Sequence, residues 1–177
     1  MQINRHNYLF LRQGGTLSEI IKGIEVGEWV ARRVQGGYFA ERSQAIGLRR
    51  GEIVAGVIYE NWNHQSIWCH IAIEGRLTPE FLAAIFDYPF NFCQVHKIIV
   101  PVGSDNEEST KLVSKMGFTM EGCIKDARPE GDLAFWTMRR NDCKYLGDRY
   151  GKRLTITTTS KIRQAHQGLR RPMILRL

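Results

Sequence analysis

His70 stands in the middle of SIWCHIAI, an otherwise mostly apolar run at residues 66–73, and it is the one side chain there suited to accepting a proton. Of all free side chains, histidine titrates nearest neutral pH, so His70 could act as a general base. Alternation along a strand would put it on one face with Trp68 and Ala72. The competing reading is a packed histidine satisfied by a neighbour. Tyr59 and Glu60 close the preceding apolar run, EIVAGVIYE, and are the polar groups at its end. A solvated strand end also accounts for Glu60.

Other reactive residue types point away from chemistry. Asp132, in PEGD, reads as a turn residue whose carboxylate caps nearby N–H groups. Cys69, Cys93, Cys123 and Cys143 are widely separated, with no CxxC and no Cys/His cluster at zinc spacing. No metal site is expected, and reduced thiols in a cytoplasmic setting are the simpler reading. None of the four has a neighbour that would favour its thiolate. Trp136, Phe135, Phe118, Phe86 and Phe90 read as core.

The elements that must position these residues alternate between strand and helix. Ile3 to Leu11 suits a strand. GTLSEIIKGIEVGEWVARRV reads as helix, entered at Thr16 with Glu19 three residues on in a capping-box pattern, as one helix or two short ones. QAIGLRR and EIVAGVIYE flank Arg50-Gly51 as a hairpin. Ser66 to Glu74 follows as a strand. Thr78, Pro79 and Glu80 form a helix start, with a capping hydroxyl, a proline that needs no donor, and an acid at the positive end of the dipole. Phe81, Leu82, Ile85 and Phe86 give that helix an apolar face, and Pro89 kinks or ends it.

KIIVPV, at residues 97–102, suits a strand covered on both faces. Asn106 caps a helix that holds Leu112, Val113 and Met116 inward and ends at Gly117, a residue suited to a left-handed C-cap. Phe118 is thereby delivered into a strand that turns through RPEG and returns as Asp132 to Arg139. The order predicts a mixed α/β sheet closed by an antiparallel hairpin.

Length and charge bound the rest. A chain of 177 residues suits one domain of ordinary size. Its net charge of +7 is unevenly spread: residues 144–177 hold nine Lys or Arg against Asp148 alone, a surplus of eight, whereas the remainder holds 16 basic and 17 acidic residues. The sequence thus divides into a nearly neutral domain, 1–143, and a basic, extended tail, 144–177. The tail lacks helical periodicity and ends in RRPMILRL. It would bind nucleic acid through phosphate contacts, or dock as an edge strand and apolar anchor on another protein subunit. No run approaches the ~18 apolar residues of a membrane span, and no signal-peptide stretch opens the chain, so neither export nor membrane insertion is expected.

From Ser66 to Arg139 the chain resembles the GNAT acyl-CoA N-acyltransferases. The resemblance is carried by N-x-x-S at 106–109, K-M-G-F at 115–118, M-E-G at 120–122, P-E-G-D at 129–132 and F-W-T-M-R at 135–139. Within that family the look is that of ribosomal-protein N-terminal acetyltransferases and phage-encoded relatives. The resemblance implies a mostly antiparallel twisted sheet with helices on both faces and two splayed central parallel strands, Ser66 to Glu74 and Lys97 to Val102. Acetyl-CoA would lie in the V between them, and an amine, on a protein or a small molecule, would attack the thioester directly. Ala72, Gly75, Arg76 and Thr78 would then hold the cofactor at the end of the first strand and the following helix start, where free N–H groups favour phosphate. Asn106 and Ser109 would lie near the pantetheine arm.

Two departures from the family pattern stand out. Where members carry Q or R-x-x-G-x-G or A, this chain reads EGRLTPE, with Pro79 lacking a donor and Glu74 and Glu80 opposing phosphate; Arg76 could compensate. Many members also place a tyrosine four residues before the Gly-Phe pair, to protonate the leaving thiolate. That position is Val113. Ser114 is the nearest hydroxyl, about 100° around the helix. Two functions follow: an acetyl-CoA-dependent N-acetyltransferase with His70 and Ser114 as catalytic candidates, or an inactive scaffold of a phage-like particle that docks through its tail. The setting would be the cytoplasm, or a host cytoplasm or virion if phage-encoded, with oligomerisation possible in either.

Overall fold

In chain order the elements are β1 (Tyr8–Phe10), β2 (Ser18–Lys22), α1 (Ile24–Arg33), β3 (Gln44–Arg50), β4 (Glu52–Glu60), β5 (Ser66–Ile73), α2 (Pro79–Asp87), β6 (Lys97–Gly103), α3 (Glu107–Met116), β7 (Thr119–Arg128) and β8 (Gly131–Arg139). They belong to a computed structural model that describes residues 8–10, 18–147 and Tyr150. The strands form one sheet in the order β1-β2-β3-β4-β5-β6-β8-β7. Every neighbouring pair is antiparallel except β5 and β6. This is the mixed, mostly antiparallel sheet that the sequence implies.

Helices cover both faces. On one side α1 lays Val26, Trp29 and Val30 over Ala45, Ile58 and Ala72. The approach is close: a Cβ on Gly56 of β4 would come within 2.6 Å of the Val30 side chain, so only glycine lets the helix sit this near the sheet. On the other side α2 and α3 enclose the larger core, which includes Phe81, Phe86, Phe90, Ile98, Val113 and Met116. Burying a side chain of this size contributes roughly 1.5–3 kcal/mol, so this second layer dominates the packing.

Several local readings hold because a single residue decides them. The Thr78 hydroxyl accepts the Phe81 N–H at 3.1 Å and starts α2, a cap of about 1 kcal/mol. Asn106 caps α3 through Ser109 N–H at 2.9 Å, and Gly117 ends it in the left-handed region. After α2 the chain makes one wide π-helical turn, Tyr88–Phe92, around Pro89.

Other readings are overturned. Ser18–Lys22 is a strand, not the start of a helix: Ile20 and Ile21 are each buried, one in either core, and Glu19 faces Arg49 of β3 across the ladder. Gly23, at φ 112, separates this strand from α1. Thr16 lies outside the described residues, as does most of the run Ile3 to Leu11. Strand β6 is fully covered on one face, where Ile98, Val100 and Val102 are buried, and only partly on the other, where the alternate residues are half-buried. Phe135 is not in the main core; its ring meets Trp68 edge-on, 5.6 Å between centroids, on the opposite face.

The folded body extends past residue 143. Tyr145 is buried and stacks on Phe86 with ring centroids 4.5 Å apart and planes 6° from parallel, so the first residues of the proposed tail belong to the core. The apolar end and most of the basic residues of that tail lie outside the described residues.

Candidate functional site

The two parallel strands stay together only briefly. Ser66, Ile67 and Trp68 of β5 pair with Lys97, Ile98 and Ile99 of β6, and pairing stops there although β5 runs on to Ile73 and β6 to Gly103. Each strand remains tied on its outer side, β5 to β4 through Ile73 and β6 to β8 through Gly103. The inner edges past Trp68 and Ile99 therefore face a gap that opens toward α2 and α3, leaving backbone groups for an extended ligand to use.

His70 lies two residues beyond this fork. Its Nε2 is 2.9 Å from Oε1 of Glu60, the last residue of β4, and both side chains are about one-quarter exposed. Register explains the contact: Glu60 is opposite Trp68, which puts His70 on the next diagonal of the same face. The five-residue loop 61–65 fixes that register, with Asn63 Oδ1 accepting the N–H groups of Gln65 and Ser66. Trp68 and Phe135 stand beside the dyad on this face. Glu60 is thus a partner for His70 and not merely a solvated strand end. The signal available in the sequence was the short, polar NWNHQ connection between two alternating runs.

Ser114 is not brought to this place. It is exposed on α3, on the other side of the sheet from His70, whereas Val113 is buried. The roughly 100° step between consecutive helical residues turns the hydroxyl away from the layer that Val113 enters. Ala72 lies on the stretch of β5 that pairs with β4 but not with β6, and its methyl packs beneath α1.

The loop after β5 has few donors to spare. Glu74 and Gly75 both donate their N–H to the Val54 carbonyl, at 2.8 and 3.0 Å. A Cβ on Gly75 would lie 2.9 Å from the Val54 Cβ, so this glycine serves strand contact. Phe81 N–H is used by Thr78, Pro79 has none, and the Glu74 carboxylate binds Arg33 at 2.8 Å. The Arg33 guanidinium accordingly holds the Glu74 carboxyl below its usual range. Arg76, exposed, and Leu77 keep N–H groups that meet no acceptor among the described residues. At the other rim, Arg128 lies over Gly103 and binds Asp105 at 2.6 Å and Glu130 at 3.2 Å.

The thiols and Asp132 take no part. Burial pushes the Cys69 thiol up to about 12 and the Cys143 thiol to about 11, which leaves both as inert core groups. Asp132 receives Asp126 N–H at 3.1 Å and Lys125 Nζ at 2.6 Å, the local capping expected of it.

A mixed sheet with one parallel pair that forks, helices on both faces and a closing hairpin defines the fold of the GNAT N-acetyltransferases, and this chain has that fold. Among solved structures it is similar to the ribosomal-protein-S5-alanine acetyltransferase of Vibrio fischeri, with TM-score 0.56 and 14% identity over 77% of this chain and 99% of that one. It is also similar to the spermidine N-acetyltransferase of Vibrio cholerae in complex with CoA and spermine, with TM-score 0.52 and 19% identity over 68% of this chain and 76% of that one. By sequence the chain matches no family model and no curated protein.

Proposed function

We propose that this protein is an acyl-CoA-dependent N-acyltransferase that acts on an amine. The observation that carries the reading is the fork itself: three paired residues, then an opening, with the His70–Glu60 pair two residues beyond it. The thioester arm would lie between the unpaired inner edges of the two strands. The phosphate end of the ligand would rest on Arg76 and the N–H groups of Arg76 and Leu77, a thinner seat than a run of free helix-start donors. Asn106 spends its carbonyl oxygen on the α3 cap, while the Ser109 hydroxyl and the Asn106 amide remain for the pantetheine.

The thioester, when bound, supplies an activated acyl carbon. In the chain itself, Glu60 accepts Nε2–H of His70 and so fixes the imidazole with its Nδ1 lone pair outward. That lone pair takes the proton an amine loses as the new C–N bond forms and the C–S bond breaks, its electron pair leaving on the CoA sulfur as thiolate. Trp68 and Phe135 shield this face from water. Support from outside the chain is the spermidine N-acetyltransferase structure, which holds CoA and an amine.

Calorimetric titration with CoA and acetyl-CoA tests the reading, followed by acyl transfer to a panel of primary amines. Binding of either cofactor with transfer lost in His70→Gln supports it. Absence of heat at millimolar ligand would remove it and favour the second reading, a fold retained for assembly, for which the committed donors of Glu74, Gly75 and Phe81 speak.

A further inference from the structure

Beneath the fork, on the side that carries α2 and α3, lies a cavity of about 20 Å³. Cys69 and Ile71 of β5 and Ile98 and Val100 of β6 floor it, and Phe86 and Val113 close it from above. Its position follows from register, because Ile98 and Val100 flank Ile99 while Cys69 and Ile71 follow Trp68, all on the face away from His70. The Tyr59 hydroxyl, which could have made the lining polar, donates instead to the Ile85 carbonyl at 2.5 Å. A space larger than the roughly 10–15 Å³ that one water needs, yet without polar partners, stays dry and favours an apolar guest.

We infer that this cavity receives the end of a propionyl or butyryl chain, longer than acetyl by one or two carbons and donated as its CoA thioester. The inference rests on the acyl-transfer reading above and names the donor class for it. A reacting carbon held at the fork has the His70–Glu60 pair on one face of the sheet and the cavity on the other. The amine arrives from the first side, and the alkyl tail extends into the second. Acetyl leaves the space empty. One or two further carbons fill it, which is about what the volume admits.

Equilibrium titration of the full chain with CoA, acetyl-, propionyl- and butyryl-CoA tests this without reference to turnover. Burying one methylene corresponds to about fourfold in affinity, so propionyl-CoA should bind about fourfold more tightly than acetyl-CoA. Val113→Leu narrows the cavity from α3 and Cys69→Val narrows it from β5, so the proposal survives if one of them fails to fold. Each folded variant, checked by thermal melt, should erase the gain from the longer chain. Equal affinities for acetyl- and propionyl-CoA in the parent, or a gain unchanged in the variants, would overturn the inference and leave acyl transfer standing. Failure of every CoA species to bind would overturn both.

Discussion

Trp68 of β5 and Ile99 of β6 are the last residues at which the one parallel pair among the described strands is joined, and the proposed chemistry is arranged around that point. His70 is the first side chain past it on the open face. Replacing His70 with glutamine keeps a polar group of similar size but removes the base. It is expected to lower kcat roughly hundred- to ten-thousandfold, with a much smaller change in CoA affinity. Glu60→Gln should lower kcat less and alter the pH profile, since it disturbs only the orientation of the ring. A profile unchanged in both variants would exclude the pair from catalysis.

Arg76 is the main cation left for a phosphate at the start of α2. Arg76→Ala should weaken CoA binding about fivefold, the worth of ~1 kcal/mol for an exposed charge contact. The loss should shrink as salt is raised. Pantetheine derivatives without the diphosphate should bind the variant and the parent alike.

Gly75 lies against Val54, not at a ligand. Gly75→Ala places a methyl 2.9 Å from the Val54 Cβ and is expected to cost about 1–3 kcal/mol in thermal or urea unfolding. Adding Val54→Ala should restore much of it, a coupling that a purely ligand-facing glycine would not produce.

At the tip of the closing hairpin, the bond from Lys125, and after it the Asp126 N–H, hold the Asp132 carboxyl below its usual range. The folded chain therefore binds that proton less readily than the unfolded chain. The resulting stabilisation is complete above the ordinary carboxylate range and fades as pH falls through the lowered folded value. Asp132→Asn should lower Tm at pH 7 and converge with the parent in strong acid. An equal deficit at both pH values would mean that shape, not charge, is responsible.

Tyr145 tests where the folded body ends. Its stacking on Phe86 predicts a loss of about 3 kcal/mol or more for Tyr145→Ala in denaturant unfolding. A change within error would return residues 144–147 to the tail.

The legible parts of the fold are those in which one residue type settles the geometry: Thr78 and Pro79 at the start of α2, Gly117 at the end of α3, and Gly51 between β3 and β4. Ser18–Lys22 misled because two adjacent isoleucines followed by Ile24 mimic helical spacing, and only the long-range pairing with β3 makes them a strand. Phe135 misled because a strand residue's face depends on register, which sequence leaves undetermined by one residue. The fork was expected from the family resemblance and not from element order, which says that two strands are neighbours but not where their pairing stops. The union of His70 with Glu60 was not, because it depends on a diagonal across two strands. The cavity beneath the fork is likewise a property of how α2 and α3 settle on the sheet, and no local pattern announces it.

Strand β7 forms the rim of the sheet, and from Thr119 through Ala127 every residue is exposed, Met120 and Ile124 included. Two irregularities break its ladder, between Met120 and Gly122 and between Ile124 and Arg128, and Asp126 adopts a positive φ of 51. A passing chain therefore finds only short, mismatched lengths of backbone on which to lodge. The same kinks that bend the hairpin deny runaway stacking the straight template it requires.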